Sequence, residues 1–470
     1  MALMTSTSRD GVDEQAEFSK AVSILDELLG LPKMQRALLK EECPNAARIY
    51  GKLSTLWLLI IQRLGGGLTL SQAVSELVKH HTDLLPNNKR VREGTLSENT
   101  AAYSRARKDL PLEQVQLFAK SMCDHLASLA PFAFMGKRVF IIDGTSITLP
   151  PTVDLKREYP PATNQFGESV WPIISLLVAH DIQTGCALVP KIAAKYGPNN
   201  SSEPAMAREI VTELPANSIV LADSGFGIFS MAHHCTSKGQ RFIFRLSNQR
   251  FKSMVKAARC VEDEEDHKTY HLLWQPSTKD QESTPGTTKE TKLEVFLHET
   301  ALPDGTSLYT LTDLEADAVS LSKLYQRRYD IEFDIRDIKV SMNTEQIRAK
   351  SKDTMMKELL GSIIAYNLVV QFRKQAATLI RTEPRKLSFS GVWLTFQDHL
   401  LRSSANSLDE WRVTYTKALL SASRRLLPNR KNPRNYPRTA HPRRQKSTKS
   451  EKKQRSKSPQ IESPPTPKLE

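Results

Sequence analysis

Two stretches, RVFIIDG at 138–144 and NSIVLADSG at 217–225, run through unbroken apolar residues into an aspartate that a glycine follows within two positions. Unalternating apolar runs need cover on both faces, as in the central strands of a sheet with helices above and below. Between and after them, WPIISLLVAHDIQTGCALVP (171–190) reads as two strands joined by a turn at Asp181–Gly185, EPAMAREIVTEL (203–214) as a helix, and QRFIFRLS (240–247) as another strand. This order predicts an α/β fold, a mixed sheet flanked by helices. One aspartate ending a strand needs no explanation beyond the turn it starts. Asp143 and Asp223 in equivalent places carry more weight, because open sheets present ligand groups at strand ends.

A third acid lies in LYQRRYDIEFDIRDIK, residues 324–339. At roughly 100° per residue, Tyr325, Arg328, Glu332 and Lys339 fall within about 60° of one helix face. Leu324, Ile331, Ile335 and Ile338 form the adjoining apolar stripe, and Asp330, Asp334 and Asp337 fall on the far side. Pairing of Arg328 with Glu332 within the helix is the simpler account of part of this pattern. Two Asp and a Glu are also hard oxygen donors suited to a pair of Mg²⁺ or Mn²⁺ ions. Such a pair can activate water or a 3′ hydroxyl for in-line phosphoryl displacement. Arg and Lys would then hold phosphates, and Tyr would stack or hydrogen-bond beside them.

Around this unit the pattern divides the chain at about 130, 245, 316 and 405. Residues 1–130 read as helical, with apolar periodicity at 31–42, 52–64, 70–81 and 111–129, a break at Gly65–Gly67 and Ser71 and Ser97 as possible caps. Arg105, Arg107 and Lys108 crowd one of these segments, which fits a DNA-reading module or a plain helical bundle with a solvated face. Residues 131–245 carry the first two acids, and 246–316 read as a β-rich insertion with a hairpin at Asp304–Gly305. Helices resume over 317–405, and the folded part is expected to end between 405 and 425, leaving 406–470 as a terminal region with a disordered basic tail.

The net charge of +14 sits mainly in that tail: residues 424–470 hold 15 Lys and Arg against three Glu, leaving about +2 for the rest. Nonspecific contact with an anionic polymer is therefore expected of the tail rather than the body. Cysteines 43, 123, 186, 235 and 260 lack paired spacing, which argues against a disulfide framework or a zinc knuckle. The strongest apolar run, LWLLII at 56–61, is far short of the roughly 18 residues of a membrane span, and a cytoplasmic chain is expected.

The three acids, the β-rich insertion ahead of Glu332 and the spacing Tyr325, Arg328, Glu332, Lys339 resemble the DDE transposases of the insertion sequence four family, over roughly residues 30–405. The resemblance implies an RNase H-like core whose metal ligands are Asp143, Asp223 and Glu332, with Tyr325, Arg328 and Lys339 contacting DNA near the cleavage point. It also implies a bacterial enzyme working with two Mg²⁺, or Mn²⁺, and with double-stranded DNA. The helical N-terminal region would recognise terminal inverted repeats, and a homodimer would hold two ends in a synaptic complex. Nicking at the element end would be followed by strand transfer into target DNA. Two positions depart from the pattern: Ser224 stands where relatives commonly carry Arg, and Tyr329 where many carry Trp. Glu203, Arg245 and His180 beside Asp181 read as a helix-start acid, a solvated strand-end cation and turn residues. The competing readings are an RNase H-like nuclease without strand transfer and a catalytically silent DNA-binding descendant.

Overall fold

The computed structural model describes residues 49–428, apart from 81, 83–84, 86–88, 166, 285 and 403–407. The helix expected at 31–42, Cys43 and the basic stretch from 429 onward lie outside the described residues. Strands are β1 (Val139–Thr148), the small hairpin β2 (Thr163–Asn164) and β3 (Gly167–Glu168), β4 (Ile173–Asp181), β5 (Lys191–Ala194), β6 (Ile219–Ala222) and β7 (Arg241–Arg245). Four more follow: β8 (Arg259–Asp263), β9 (His267–Trp274), β10 (Leu293–Ala301) and β11 (Ser307–Thr312). All but the small hairpin join one mixed sheet in the order β5-β4-β1-β6-β7-β11-β10-β9-β8. Its centre is parallel, β1 to β6 and β6 to β7, and the remaining pairs are antiparallel. Strands β8 to β11, from the stretch read in sequence as a β-rich insertion, widen this sheet, because β11 docks on β7 with Thr312 opposite Ile243.

Alternate residues of the central strands explain why their apolar runs are unbroken. Phe140, Ile142, Val220, Phe242 and Phe244 face Met206, Ile210, Phe229 and Ala232 of two covering helices. Val139, Ile141, Ile219, Leu221 and Ile243 face Leu321, Leu324, Tyr325 and Ile331 on the other side.

The helices are α1 (Lys52–Leu64), α2 (Leu70–His80), the single turn α3 (Lys89–Arg92), α4 (Ala101–Asp109), α5 (Leu112–Ser128) and α6 (Val153–Glu158). Next come α7 (Glu203–Glu213), α8 (Phe229–Ser237), α9 (Asn248–Val255), α10 (Thr278–Ser283), α11 (Ala318–Gln326) and α12 (Asp330–Arg336). The last three are α13 (Lys352–Leu379), α14 (Phe389–Arg402) and α15 (Leu408–Ser423). The long α13 is buried nearly all round. Its Ile363, Tyr366, Val369 and Phe372 share a core with Trp57 and Ile60 of α1, Phe118 and Met122 of α5, Phe396 of α14 and Tyr415 of α15. The N-terminal helices thus pack into the same core as the C-terminal ones. A helix stands at Leu408–Ser423, where composition suggests that the folded part is ending.

Several local expectations need correction. Gly66 and Gly67, both at positive φ, do break the chain after α1, but α2 starts one residue before Ser71 and its cap is Thr69, whose Oγ1 accepts from Gln72 N at 3.2 Å. Ser97 does not cap α4: the residue before the helix is Thr100, whose side chain makes no cap bond, and Asn99 Oδ1 accepts from Ala101 N at 2.8 Å. The single helix expected over 324–339 is broken by a 3₁₀ turn at Arg327–Tyr329 and closes in a π turn at Asp337–Ser341. Asp334 and Asp337, expected on a far polar face, are 1% and 8% exposed. Cys123, Cys186, Cys235 and Cys260 are free thiols, and among the described residues no helix is long and apolar enough to cross a membrane.

Two buried groups give the fold opposing pH sensitivities. Burial pushes Asp337 up to about 6, partly relieved by Arg373, and burial pushes His298 down to about 4, with Glu262 countering. Asp337 binds its proton more tightly folded than unfolded, so it removes stability as pH rises from about 4 to 6. His298 stays neutral while the unfolded chain protonates, so it removes stability as pH falls from about 6.5 to 4. Each effect is on the order of 3 kcal/mol, and they offset each other within that window. In urea titrations, Asp337→Asn should be about 1–3 kcal/mol more stable than the unmodified chain at pH 7.5 and should lose that advantage by pH 4. A constant difference across the range would remove Asp337 as its source.

Candidate active site

In the sheet register Ile141 pairs with Leu221, so Asp143 and Asp223, each two residues further on, emerge at the same level of neighbouring parallel strands. β6 ends at Ala222, whereas β1 continues past Asp143 against β4 alone, and this frees the β1 edge that faces Asp223. Each carboxylate is held by a backbone N–H just after it: Gly144 N, within β1, donates to Asp143 Oδ1 at 2.8 Å, and Gly225 N, in the loop after β6, to Asp223 Oδ1 at 2.9 Å.

Helices α11 and α12 cross this level from the opposite layer, anchored by Leu321, Leu324 and Ile331. The 3₁₀ turn between them carries Arg328, which donates to Glu332 Oε1 at 3.0 Å and to Asp143 Oδ2 at 3.4 Å. Its guanidinium also lies 4.5 Å from the Tyr329 ring centre, a cation–π contact. The structure therefore contains the intrahelical Arg328–Glu332 pair and extends it across the fold to Asp143. Lys339 lies near the same strand, donating to Thr145 Oγ1 at 3.3 Å and pairing with Glu345 at 3.0 Å. Tyr325 is buried at 3% exposure, and among the described residues its hydroxyl has no hydrogen-bond partner. Burial raises its pKa, as does the charge of Asp223, against the opposing charges of Arg328 and Arg245.

Burial raises the Asp143 pKa, as do the charges of Asp223 and Glu332, while Gly144 N–H and Arg328 hold it down. Glu203, which reads in sequence as a helix-start acid, belongs here too. Its carboxylate fills the space that a β-carbon at Gly144 would need, and burial together with Asp143 and Asp223 raises its pKa. No sequence signal separates it from an ordinary first-turn acid. Arg245 ends β7 beside the site, within electrostatic reach of Tyr325. His180 and Asp181 lie at the far end of β4, buried beneath α12, where His180 Nδ1 is 3.4 Å from Asp334 Oδ2.

The donor set suits a hard divalent cation: carboxylates gathered at one level of the central strands β1 and β6, a glycine that makes room for one of them and mutual repulsion that a cation would relieve. Among the described residues no three acids, His or Cys stand at metal-holding separation, and the Arg328 guanidinium bridges Asp143 to Glu332.

Comparison with known proteins places this site in context. A family model described as Transposase DDE domain matches residues 134–368, a span that contains Asp143, Asp223 and Glu332. The transposase InsG for insertion sequence element IS4 of Escherichia coli (strain K12) is 24% identical over 338 residues, covering 70% of this chain and 72% of that protein. Among solved structures, the cryo-EM structure of the piggyBac transposase synaptic complex with hairpin DNA aligns over 88% of this chain and 84% of that one. The identity there is 10% and the TM-score 0.38.

Proposed function

This chain belongs to the transposase DDE domain family, and from that premise we propose that it is the transposase of a bacterial insertion sequence. In this reading it binds the terminal inverted repeats of its element and catalyses metal-dependent strand cleavage followed by strand transfer. The observation that carries the reading is the convergence of Asp143 and Glu332 on Arg328, with Asp223 at the same sheet level. Asp143, Asp223 and Glu332 are the proposed ligands of Mg²⁺, for which Mn²⁺ would substitute, on an RNase H-like core. Bound there, the metal would supply Lewis-acid stabilisation of charge developing at the scissile phosphate.

The chain's own residues account for substrate positioning. Arg328, only 10% exposed and already charge-paired, presents a rigid fork that can be shared with a phosphate without a large loss of side-chain freedom. Lys339 offers a second point charge along the same strand, next to Thr145. The unpartnered Tyr325 hydroxyl is available to a DNA group entering beside Asp223. Together these four positions, Tyr325, Arg328, Glu332 and Lys339, form the proposed signature of the site. The helical region up to about residue 130 is the proposed reader of the element ends, 131–245 and 317–405 the two parts of the core, and 246–316 the insertion. A homodimer holding two ends is the proposed working assembly.

The test is cleavage of a labelled duplex carrying the gene's own flanking DNA, with Mg²⁺ or Mn²⁺. A metal-dependent cut at the element boundary supports the proposal. Boundary-specific binding without any cut would instead favour a catalytically silent descendant. Truncation after Leu427 removes 13 Lys and Arg and three Glu. It should flatten the dependence of DNA affinity on salt, by about 0.9 in log–log slope for each phosphate that the tail no longer neutralises, and leave end preference intact. A loss of end preference in the truncated chain would show that residues beyond 427 read sequence.

A further inference from the structure

The geometry points to Glu203 as a fourth carboxylate of this site, a hard oxygen donor to a divalent cation that would draw it, Asp143 and Asp223 closer together than they stand here. The inference rests on the metal-dependent reading above and adds a residue to it. Ser202 already caps α7, its Oγ accepting from Ala205 N at 3.3 Å, so the helix start does not need the Glu203 side chain as its cap. Instead the carboxylate turns across to β1 and occupies the volume that any side chain at residue 144 would fill. Among the described residues it has no hydrogen-bond or ion-pair partner there, and its charged neighbours are Asp143, Asp223 and, on the opposing side, Lys195.

The charge balance makes that placement costly without a ligand. Arg328 bonds Asp143 and Glu332 but not Glu203, whose opposing charge comes from Lys195. Carboxylates gathered this way repel one another, and the repulsion strengthens as water is excluded. A divalent cation between Glu203, Asp143 and Asp223 would neutralise the side of the cluster that Arg328 leaves unserved. A second, independent sign of a ligand is the Tyr325 hydroxyl, 3% exposed, without a hydrogen-bond partner among the described residues and within electrostatic reach of Asp223.

Mn²⁺ binding to the full chain, followed by the loss of the free-ion electron paramagnetic resonance signal with and without duplex DNA, tests the assignment. Glu203→Gln should weaken at least one Mn²⁺ by tenfold or more, or lower the stoichiometry, and should reduce the rise in melting temperature that Mn²⁺ produces. Its melting temperature without metal should rise, because the repulsion within the cluster is relieved. Gly144→Ala, which keeps the carboxylate but displaces it, should weaken Mn²⁺ binding as well. Glu209→Gln, on the same helix with a 65% exposed side chain, controls for loss of charge alone and should bind as the unmodified chain does. Unchanged Mn²⁺ binding in Glu203→Gln, while Asp143→Asn loses it, overturns the role of Glu203 and leaves the other three ligands standing. Equal weakening by Glu209→Gln overturns it too, by reducing the effect to general charge. Absence of Mn²⁺ binding to the unmodified chain overturns the metal-site reading and this one together.

Discussion

Glu332→Gln is expected to lower boundary cleavage by about 10³-fold or more while DNA-end binding stays within about threefold of the unmodified chain. A metal-stabilised transition state derives several kcal/mol from its ligands, and a loss of about 4 kcal/mol corresponds to that factor. Gln keeps the length and shape of the side chain and one oxygen able to accept from Arg328 Nη2, now 3.0 Å from Glu332 Oε1. Anchoring by Ile331 and Leu324 is untouched, so the helix should stay in place. The variant thus removes charge from a residue whose side chain is 43% exposed, without a packing defect. Single-turnover cleavage and a gel-shift measurement on the same duplex check the two halves of the expectation. Cleavage within tenfold of the unmodified chain would remove Glu332 from the reaction centre. Arg328→Ala provides the contrast, because it should slow cleavage yet leave Mn²⁺ stoichiometry as it is.

The sequence discloses the parts of this site where chemistry interrupts a pattern. Asp143 and Asp223 stand out because a charged residue ends an apolar run, and the parallel pairing of β1 with β6 then brings them level. Glu332 and Arg328 stand out by helical spacing, and that spacing survives because the 3₁₀ turn precedes Glu332 instead of following it. Glu203 cannot be seen this way, since an acid in a first helical turn is ordinary and its distinguishing feature is a glycine 59 positions earlier. Helical spacing puts Tyr325 at the edge of the packed face; the structure buries it in the cluster that holds Ile219 and Leu221 of β6 and Ile243 of β7. The acids of α12 and of the π turn after it mislead for a related reason. Asp334 and Asp337 look like solvent-facing residues until the chain returns with Arg373 and Arg385, and no local pattern announces partners so far along the sequence.

Arg385→Met is expected to cost about 3–5 kcal/mol of stability, the usual penalty for leaving one member of a buried ion pair alone. Arg385 donates to both Asp334 oxygens at 2.7 Å, to Ile182 O at 2.9 Å and to Asp181 O at 3.3 Å, and it lies 3.6 Å from Asp330. Burial disfavours its charge, but Asp334 and Asp330 more than offset that, so its pKa is raised. The Asp334 side chain is 2% exposed and cannot turn to water once the guanidinium is gone. His180, 3.4 Å away and wholly buried, is a poor substitute because burial lowers its pKa. The double variant Arg385→Met with Asp334→Leu should recover most of the loss, since a buried pair exchanged for apolar groups is often neutral. Because Asp334 is two residues from Glu332, the single variant should also reduce cleavage beyond what its unfolded fraction explains. Urea titration of the single and double variants measures the coupling. A single-variant loss below about 1 kcal/mol would mean that water reaches Asp334 and that the pair does not fasten α12 to the β4 turn.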